Sequence, residues 1–232
     1  MNSALIIFII VLSLFVLWRF IFFFRNPERQ IPSSENAILS PADGYVVYIK
    51  FIRDINAEIF SIKNGHNILL RELMMLNETD NLMSGWLIGI AMTPFDVHYN
   101  RAPVSGYIEK ICHDFPPGLR KNFNMFATLQ NMFFKEEHPY IDATYLIYNE
   151  RASYIISNSQ IKIYITQIAD KYIKKIVTYK DKTLIEKGEV FGLIRMGSQV
   201  DIFIPDTSEK IQVTVRERQH LLAGISVVAL LE

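Results

Sequence analysis

Hydrophobic side chains are distributed very unevenly along this chain, and the first two dozen residues carry the densest run. From Ala4 to Phe24 only Ser13 and Arg19 interrupt aliphatic and aromatic positions. About 20 such residues in helical form cross a bilayer. Arg19 lies near the end of the run, where a long side chain can bring its charge to the interface. A cleaved leader would have positive charge before the run and small residues after it. Here no Lys or Arg precedes it, and it ends in Ile21-Phe22-Phe23-Phe24. The first charges that follow are Arg25, Glu28 and Arg29. The two arginines place the remainder of the chain on the cytoplasmic side of the cell (inner) membrane. Residues 1–24 are therefore expected to be an uncleaved anchor.

Residues 25–36 are polar and contain Pro27 and Pro32, the composition of a linker. Beyond them the pattern changes to short apolar runs separated by turn residues. Tyr45–Ile52 follows an Asp-Gly turn and is rich in Val, Ile and Tyr. Leu87–Met92, Val104–Cys112, Tyr145–Tyr148, Tyr154–Ile156, Ile161–Ile168, Val200–Ile204, Ile211–Val215 and Ile225–Leu230 read the same way. Gly106 within a strand marks a bulge or a close backbone approach. Phe123, Phe126, Leu129 and Phe133 repeat near helical spacing, so Asn122–Phe134 is expected to be a core-facing or membrane-leaning helix. Asp170–Tyr179 fits helix or strand. The expected body, residues 37–232, is a β-rich α+β fold.

Composition narrows the function. Half the residues are hydrophobic, which argues against disorder. The 24 basic and 24 acidic residues cancel, so no charge excess invites nucleic acid. Cys112 is the only cysteine, which rules out an internal disulfide, and it is expected to be a small buried apolar side chain. There is no Gly-rich phosphate loop, HExxH, CxxC or GxSxG, and the five histidines lack metal-ligand spacing. No metal is expected.

Three segments could carry chemistry. Ser40-Pro41-Ala42-Asp43-Gly44 is a turn, with Asp43 expected to cap it and Gly44 to take positive φ. Asp96 to Pro103 packs Asp96, His98 and Arg101 after a strand: an orienting carboxylate, a proton carrier and an anion clamp. Gly192 to Ser198 ends in Gly197-Ser198. In a bent backbone the Ser198 hydroxyl can attack the Gly197 carbonyl, which carries no Cβ to block approach. That step needs a base for the hydroxyl proton and donors for the oxyanion. Elimination from the resulting ester leaves dehydroalanine, which hydrolyses to a pyruvoyl carbonyl. Such a carbonyl can condense with an amine and draw electrons from a breaking C–COO⁻ bond.

Five segments in order, Arg25-Asn26-Pro27-Glu28-Arg29, Ser40–Gly44, Thr93–Pro103, Asn149-Glu150-Arg151 and Gly192–Ser198, resemble the short bacterial and archaeal phosphatidylserine decarboxylases. The resemblance implies a proenzyme cut into a long β chain, 1–197, and a short α chain, 198–232, with sheets packed around the self-cleavage loop. It implies Ser198 as the pyruvoyl precursor, Gly197 as the scissile carbonyl, Asp43 in self-cleavage and His98 as proton donor after decarboxylation. Arg101 or Arg195 would hold the phosphate of a phospholipid substrate at the membrane. Larger relatives carry a second histidine where this chain has Arg101. Relatives usually have glycine at Asp170 and often an aromatic residue at Met196. A homo-oligomer is compatible with the sequence. The alternatives are an uncleaved membrane scaffold, or a pyruvoyl decarboxylase of a related serine-headed lipid or a small amino acid.

Overall fold

The computed structural model describes residues 3–55, 59–63, 66–76, 84–114, 149–169, 176–195, 198–206 and 210–232. The Tyr145–Tyr148 strand, the Asn122–Phe134 helix, Asp170, Met196 and Gly197 lie outside them. The N-terminal apolar run is α1, Ser3–Leu17, continued by a wider π-helical turn over Trp18–Phe22. Together these 20 residues are long and apolar enough to cross a membrane.

The body is built from strands, in chain order β1 Ala37–Leu39, β2 Gly44–Ile52, β3 Ile59–Lys63 and β4 His66–Leu69. One short helix, α2 Leu70–Met74, precedes β5 Gly85–Met92, β6 Tyr99–Arg101, β7 Gly106–Asp114 and β8 Arg151–Ser157. Then come β9 Lys162–Ala169, β10 Ile176–Thr178, β11 Thr183–Ile185 and β12 Val190–Ile194. Last are β13 Ser198–Pro205, β14 Ile211–Val213, β15 His220–Leu221 and β16 Val227–Leu231. An eight-stranded sheet runs β11-β7-β8-β9-β13-β5-β2-β15; smaller sheets run β10-β12-β6 and β1-β16-β14, beside a β3-β4 hairpin. The β-rich α+β expectation holds, and the described part of Asp170–Tyr179 resolves as strand.

Strand β13 is buried along its whole length. Its side chains alternate between two cores, as the period of two requires. Val200, Ile202 and Ile204 join Ile88, Ile90, Ile163 and Ile165 on one face. Phe203 joins Leu87, Tyr164 and Tyr48 on the other, with α2 packed there through Leu70 and Leu73. Gln199 and Asp201 share that second face, where Gln199 Nε2 donates to Tyr48 Oη at 2.9 Å and to Asp201 Oδ1 at 2.7 Å.

Two local readings are corrected. Cys112 is exposed. A register shift between Lys110 and Cys112 turns it toward solvent on β7, a strand with only Ile108 fully buried. The Ser40–Gly44 turn is capped by Ser40, whose Oγ donates to the Ala42 carbonyl at 2.7 Å, and not by Asp43. Gly44 does take positive φ, +147°. Gly106 is a close approach, since a Cβ there would lie 2.4 Å from the Ser157 carbonyl oxygen.

Gly89 on β5 faces the Tyr48 ring, and a Cβ at that position would sit 2.4 Å from Tyr48 Cζ. Tyr48 is buried and tied to Gln199, so the ring cannot swing out freely. Gly89→Ala should destabilise the body by about 1–3 kcal/mol, the usual range for overpacking. Thermal unfolding of detergent-solubilised protein should show Tm falling by several degrees; an unchanged Tm would mean that Tyr48 relocates at little cost.

Candidate active site

The site forms where four strands reach the same end of the large sheet. Ser198 is the first residue of β13 and pairs with Met92, the last of β5, on one side and with Ala169, the last of β9, on the other. One strand further, Tyr45 pairs with Ala91, which brings Gly44 and Asp43 to the same end. The chain leaving β5 makes a tight loop, Thr93–His98, before β6. The Ile194 amide donates to the His98 carbonyl at 3.1 Å, so the chain entering Ser198 lies beside that loop. The structure thus gathers Ser198, Asp43, Asp96 and His98 at one end of the sheet.

Ser198 is buried, and its hydroxyl donates to Met92 Sδ at 2.9 Å. A thioether is a weak acceptor. Asp43 is also buried, but its carboxylate is held by two donors. Arg29 Nη2 reaches Oδ2 at 2.9 Å and Oδ1 at 3.2 Å, and the Ala223 amide reaches Oδ1 at 2.7 Å. Arg29 is itself largely enclosed, with 7% of its side chain exposed, so this is an interior ion pair. Its geometry fixes the carboxylate more than it adds net stability.

His98 has no exposed surface. Its Nδ1 lies 2.9 Å from the Asp96 main-chain carbonyl. A carbonyl only accepts, so Nδ1 carries the proton and Nε2 presents a lone pair. Nε2 is buried with no hydrogen-bond partner among the described residues. Burial, with smaller contributions from Arg25 and Arg19, lowers the His98 pKa to about 4 against the opposing pull of Asp96. The ring is therefore a neutral base at physiological pH.

Asp96 does not orient His98 through its carboxylate. Oδ2 accepts the Thr93 amide at 2.6 Å, and Oδ1 accepts His220 Nε2 at 2.7 Å. His220 lies 124 residues away in sequence, on β15, with Tyr45 edge-on to its ring at 4.7 Å. Sequence reasoning missed His220, because no motif contains it and only the β15–β2 pairing brings it to the loop. Arg29 stood inside a recognised segment, although its partner was not legible there.

Arg101 and Arg195 stand in different settings. Arg101 donates to the Gly188 carbonyl at 2.8 Å, to Asn26 Oδ1 at 2.6 Å and to the Pro27 carbonyl at 3.2 Å. Burial and nearby Arg29 lower its pKa. Arg195 is exposed. Among the described residues no group of three or more His, Cys, Asp and Glu side chains is placed to bind a metal. An apolar groove of about 620 Å³ opens beside the site, between the inner end of the N-terminal helix and Phe95, with Arg25 on its rim.

Comparison with known proteins places the chain in one family. A family profile described as phosphatidylserine decarboxylase matches residues 16–229. A Methanocaldococcus jannaschii protein with the provisional name archaetidylserine decarboxylase proenzyme is 31% identical over 90% of this chain and 88% of its own. The phosphatidylserine decarboxylase proenzyme of Carboxydothermus hydrogenoformans is 31% identical over 97% of this chain and 86% of its own. That of Chlorobium limicola is 28% identical over 95% and 82%. A match along nearly the whole chain, with the family's motifs meeting at one end of the sheet, makes this chain a member of the phosphatidylserine decarboxylase family of carboxy-lyases.

Proposed function

We propose that the chain decarboxylates phosphatidylserine to phosphatidylethanolamine and CO₂, using a pyruvoyl group made from Ser198 when the chain cuts itself at Gly197-Ser198. The observation that carries this reading is the setting of Ser198. It is a buried serine at a strand's first position, its hydroxyl left to a weak sulfur acceptor, at the same end of the sheet as a fixed carboxylate and a neutral histidine. That setting fits a residue that reacts. Relatives named proenzymes support the processing. The Ser3–Phe22 helix would anchor the body at the cytoplasmic face of the membrane.

In self-cleavage the Ser198 Oγ–C bond forms as the Gly197 C–N bond breaks, and the hydroxyl proton passes to the freed nitrogen. Asp43 is assigned to this step, its carboxylate fixed by Arg29 and Ala223. When present, the pyruvoyl carbonyl supplies an electron sink for the breaking C–COO⁻ bond. His98 supplies the proton transfers. The substrate amine arrives as an ammonium, and His98 Nε2, neutral and unpartnered, can take its proton. The same atom then returns the proton to the carbon that has lost CO₂. This order explains how a histidine that is neutral at rest can act as the later proton donor. Arg101 is engaged by the 26–27 backbone and side chain, which leaves exposed Arg195 as the candidate for the lipid phosphate. The provisional name of the archaeal relative favours a second reading, in which the serine head group sits on an archaeal lipid backbone.

Four outcomes test this reading. Mass spectrometry should find a fragment of about 4 kDa, residues 198–232, with a carbonyl-bearing blocked N-terminus. An intact chain that still releases CO₂ would sink the pyruvoyl assignment. Asp43→Asn should accumulate precursor, with cleavage slowed by about 10²-fold. His98→Ala should cleave substantially yet turn over lipid poorly, as scored on a gel and by CO₂ release from the same preparations; blocked cleavage in His98→Ala with normal cleavage in Asp43→Asn would reverse the two roles. His220→Ala should lower turnover by loosening the Thr93–His98 loop, while His220→Gln, which keeps a donor to Asp96, should restore much of it. Equal loss in both variants would argue that the loop does not depend on that donor.

A further inference from the structure

The end of the N-terminal helix does more than lead into the body. Phe23 is 1% exposed, although every apolar side chain of the membrane-length helix before it is at least partly exposed. Its ring centroid lies 4.1 Å from that of His98, with the planes tilted by 31°. Trp18 packs edge-on against Phe23 at 5.9 Å, and Phe24 does so at 5.2 Å. The Arg19 guanidinium lies 4.9 Å from the Phe23 ring centre. The Phe23 amide closes the π-helical turn on the Trp18 carbonyl at 2.8 Å. Next in sequence, Arg25 donates to the Phe22 carbonyl at 2.9 Å and also to the Phe95 carbonyl. Arg25 thus fastens the helix end to the loop that carries His98.

We propose that Phe23 is a positioning residue for His98, so that the inner end of the membrane helix forms one wall of the active site. The proposal rests on the decarboxylase reading above. A single hydrogen bond, from Nδ1 to the Asp96 carbonyl, leaves the imidazole free to tilt about it. A ring packed against it at 4.1 Å, tilted by 31°, limits that freedom and keeps water from one face of the imidazole. The charged groups that act on His98 are Asp96 on its own loop and Arg25 and Arg19 from the helix end. Removing Phe23 keeps all three charges in the chain and admits water. The ring's ionisation then rises from about 4 toward its ordinary 6.5. Because His98 must be neutral to take the ammonium proton, loss of activity on acidification should begin at higher pH.

The test uses full-length chains carrying Phe23→Ala or Phe23→Leu, assayed in mixed micelles and normalised to the released C-terminal fragment. Leucine keeps most of the bulk and excludes water without an aromatic face. The helix Ser3–Phe22 is untouched, so both variants should partition into membranes as the wild type does. Phe23→Ala should lower kcat about 10-fold with KM within twofold. Its rate at pH 5 relative to pH 7.5 should fall at least fivefold below the wild-type ratio. Phe23→Leu should recover most of both. Wild-type kcat and pH ratio in Phe23→Ala would overturn the inference. So would equal loss in both variants with an unchanged pH ratio, the pattern of a purely structural residue. A wild type that neither cleaves nor releases CO₂ would instead overturn the decarboxylase reading itself.

Discussion

The pairing of β13 between β5 and β9 is the constraint on which the site depends. Ser198 begins a strand that is hydrogen-bonded on both edges and buried on both faces. A cut placed just before it would create a new chain end already locked into the middle of a sheet. The fragment from 198 onward also supplies β15 to the edge of the large sheet, and β14 and β16 to the sheet with β1. Pulling it out would expose Val200, Ile202, Phe203 and Ile204, each worth about 1.5–3 kcal/mol of burial. On the proposed reading the fold therefore tolerates a broken backbone at its centre, because the strand pairing does not need the Gly197-Ser198 bond.

The same strand separates two buried polar systems. Ser198 lies on the face of Val200 and Ile202. Gln199 and Asp201 lie on the face of Phe203 and Tyr48. Burial raises the Asp201 pKa to about 7, even though Gln199 and Tyr48 hydrogen bonds favour its charged form. Its place on the far face keeps it away from the reacting end. Near Ser198 the charges are handled differently. Asp43 is met by Arg29 and a main-chain amide, Asp96 by His220 and another amide, while His98 is left neutral with one nitrogen open. The open nitrogen can accept a proton without breaking a contact, which is why the proton transfers of the decarboxylation step are proposed for it.

Strands with β-branched runs were legible from periodicity alone, and so was the N-terminal apolar helix. Short strands such as β6 and β12 were not, because Tyr99–Arg101 and Val190–Ile194 are only three and five residues long and meet each other across a long stretch of sequence. The candidate residues were legible as a family pattern, and the structure brings Ser198, Asp43, Asp96 and His98 to one end of the sheet. Their partners were not. His220 meets Asp96 across 124 residues, and Phe23 meets His98 from within a run that composition assigns to a membrane. Cys112 shows the opposite failure. A free cysteine is usually buried, yet one register shift on a partly exposed strand decides otherwise.

The polar segment after the helix bears on how a fixed site could work on a lipid. As a flexible chain, the 12 residues 25–36 would wander over about 20 Å, from the square-root scaling of such linkers. That is a large distance beside the depth of a head group. Here the segment is tied down along its length. Arg25 holds the Phe95 carbonyl, Asn26 and Pro27 accept from Arg101, Arg29 pairs with Asp43, and Ile31 packs over Gly188. A Cβ at Gly188 would lie 2.3 Å from Ile31 Cδ1, so a residue that can take φ of +79° with no side chain is needed for the strap to sit down. Arg101 works in this strap. With the freedom of the linker removed, the helix end and the His98 loop hold one fixed relation. On the proposed reading, a serine head group presented at a membrane surface would meet Ser198 and His98 at a depth set by the strap rather than by diffusion of a tethered body.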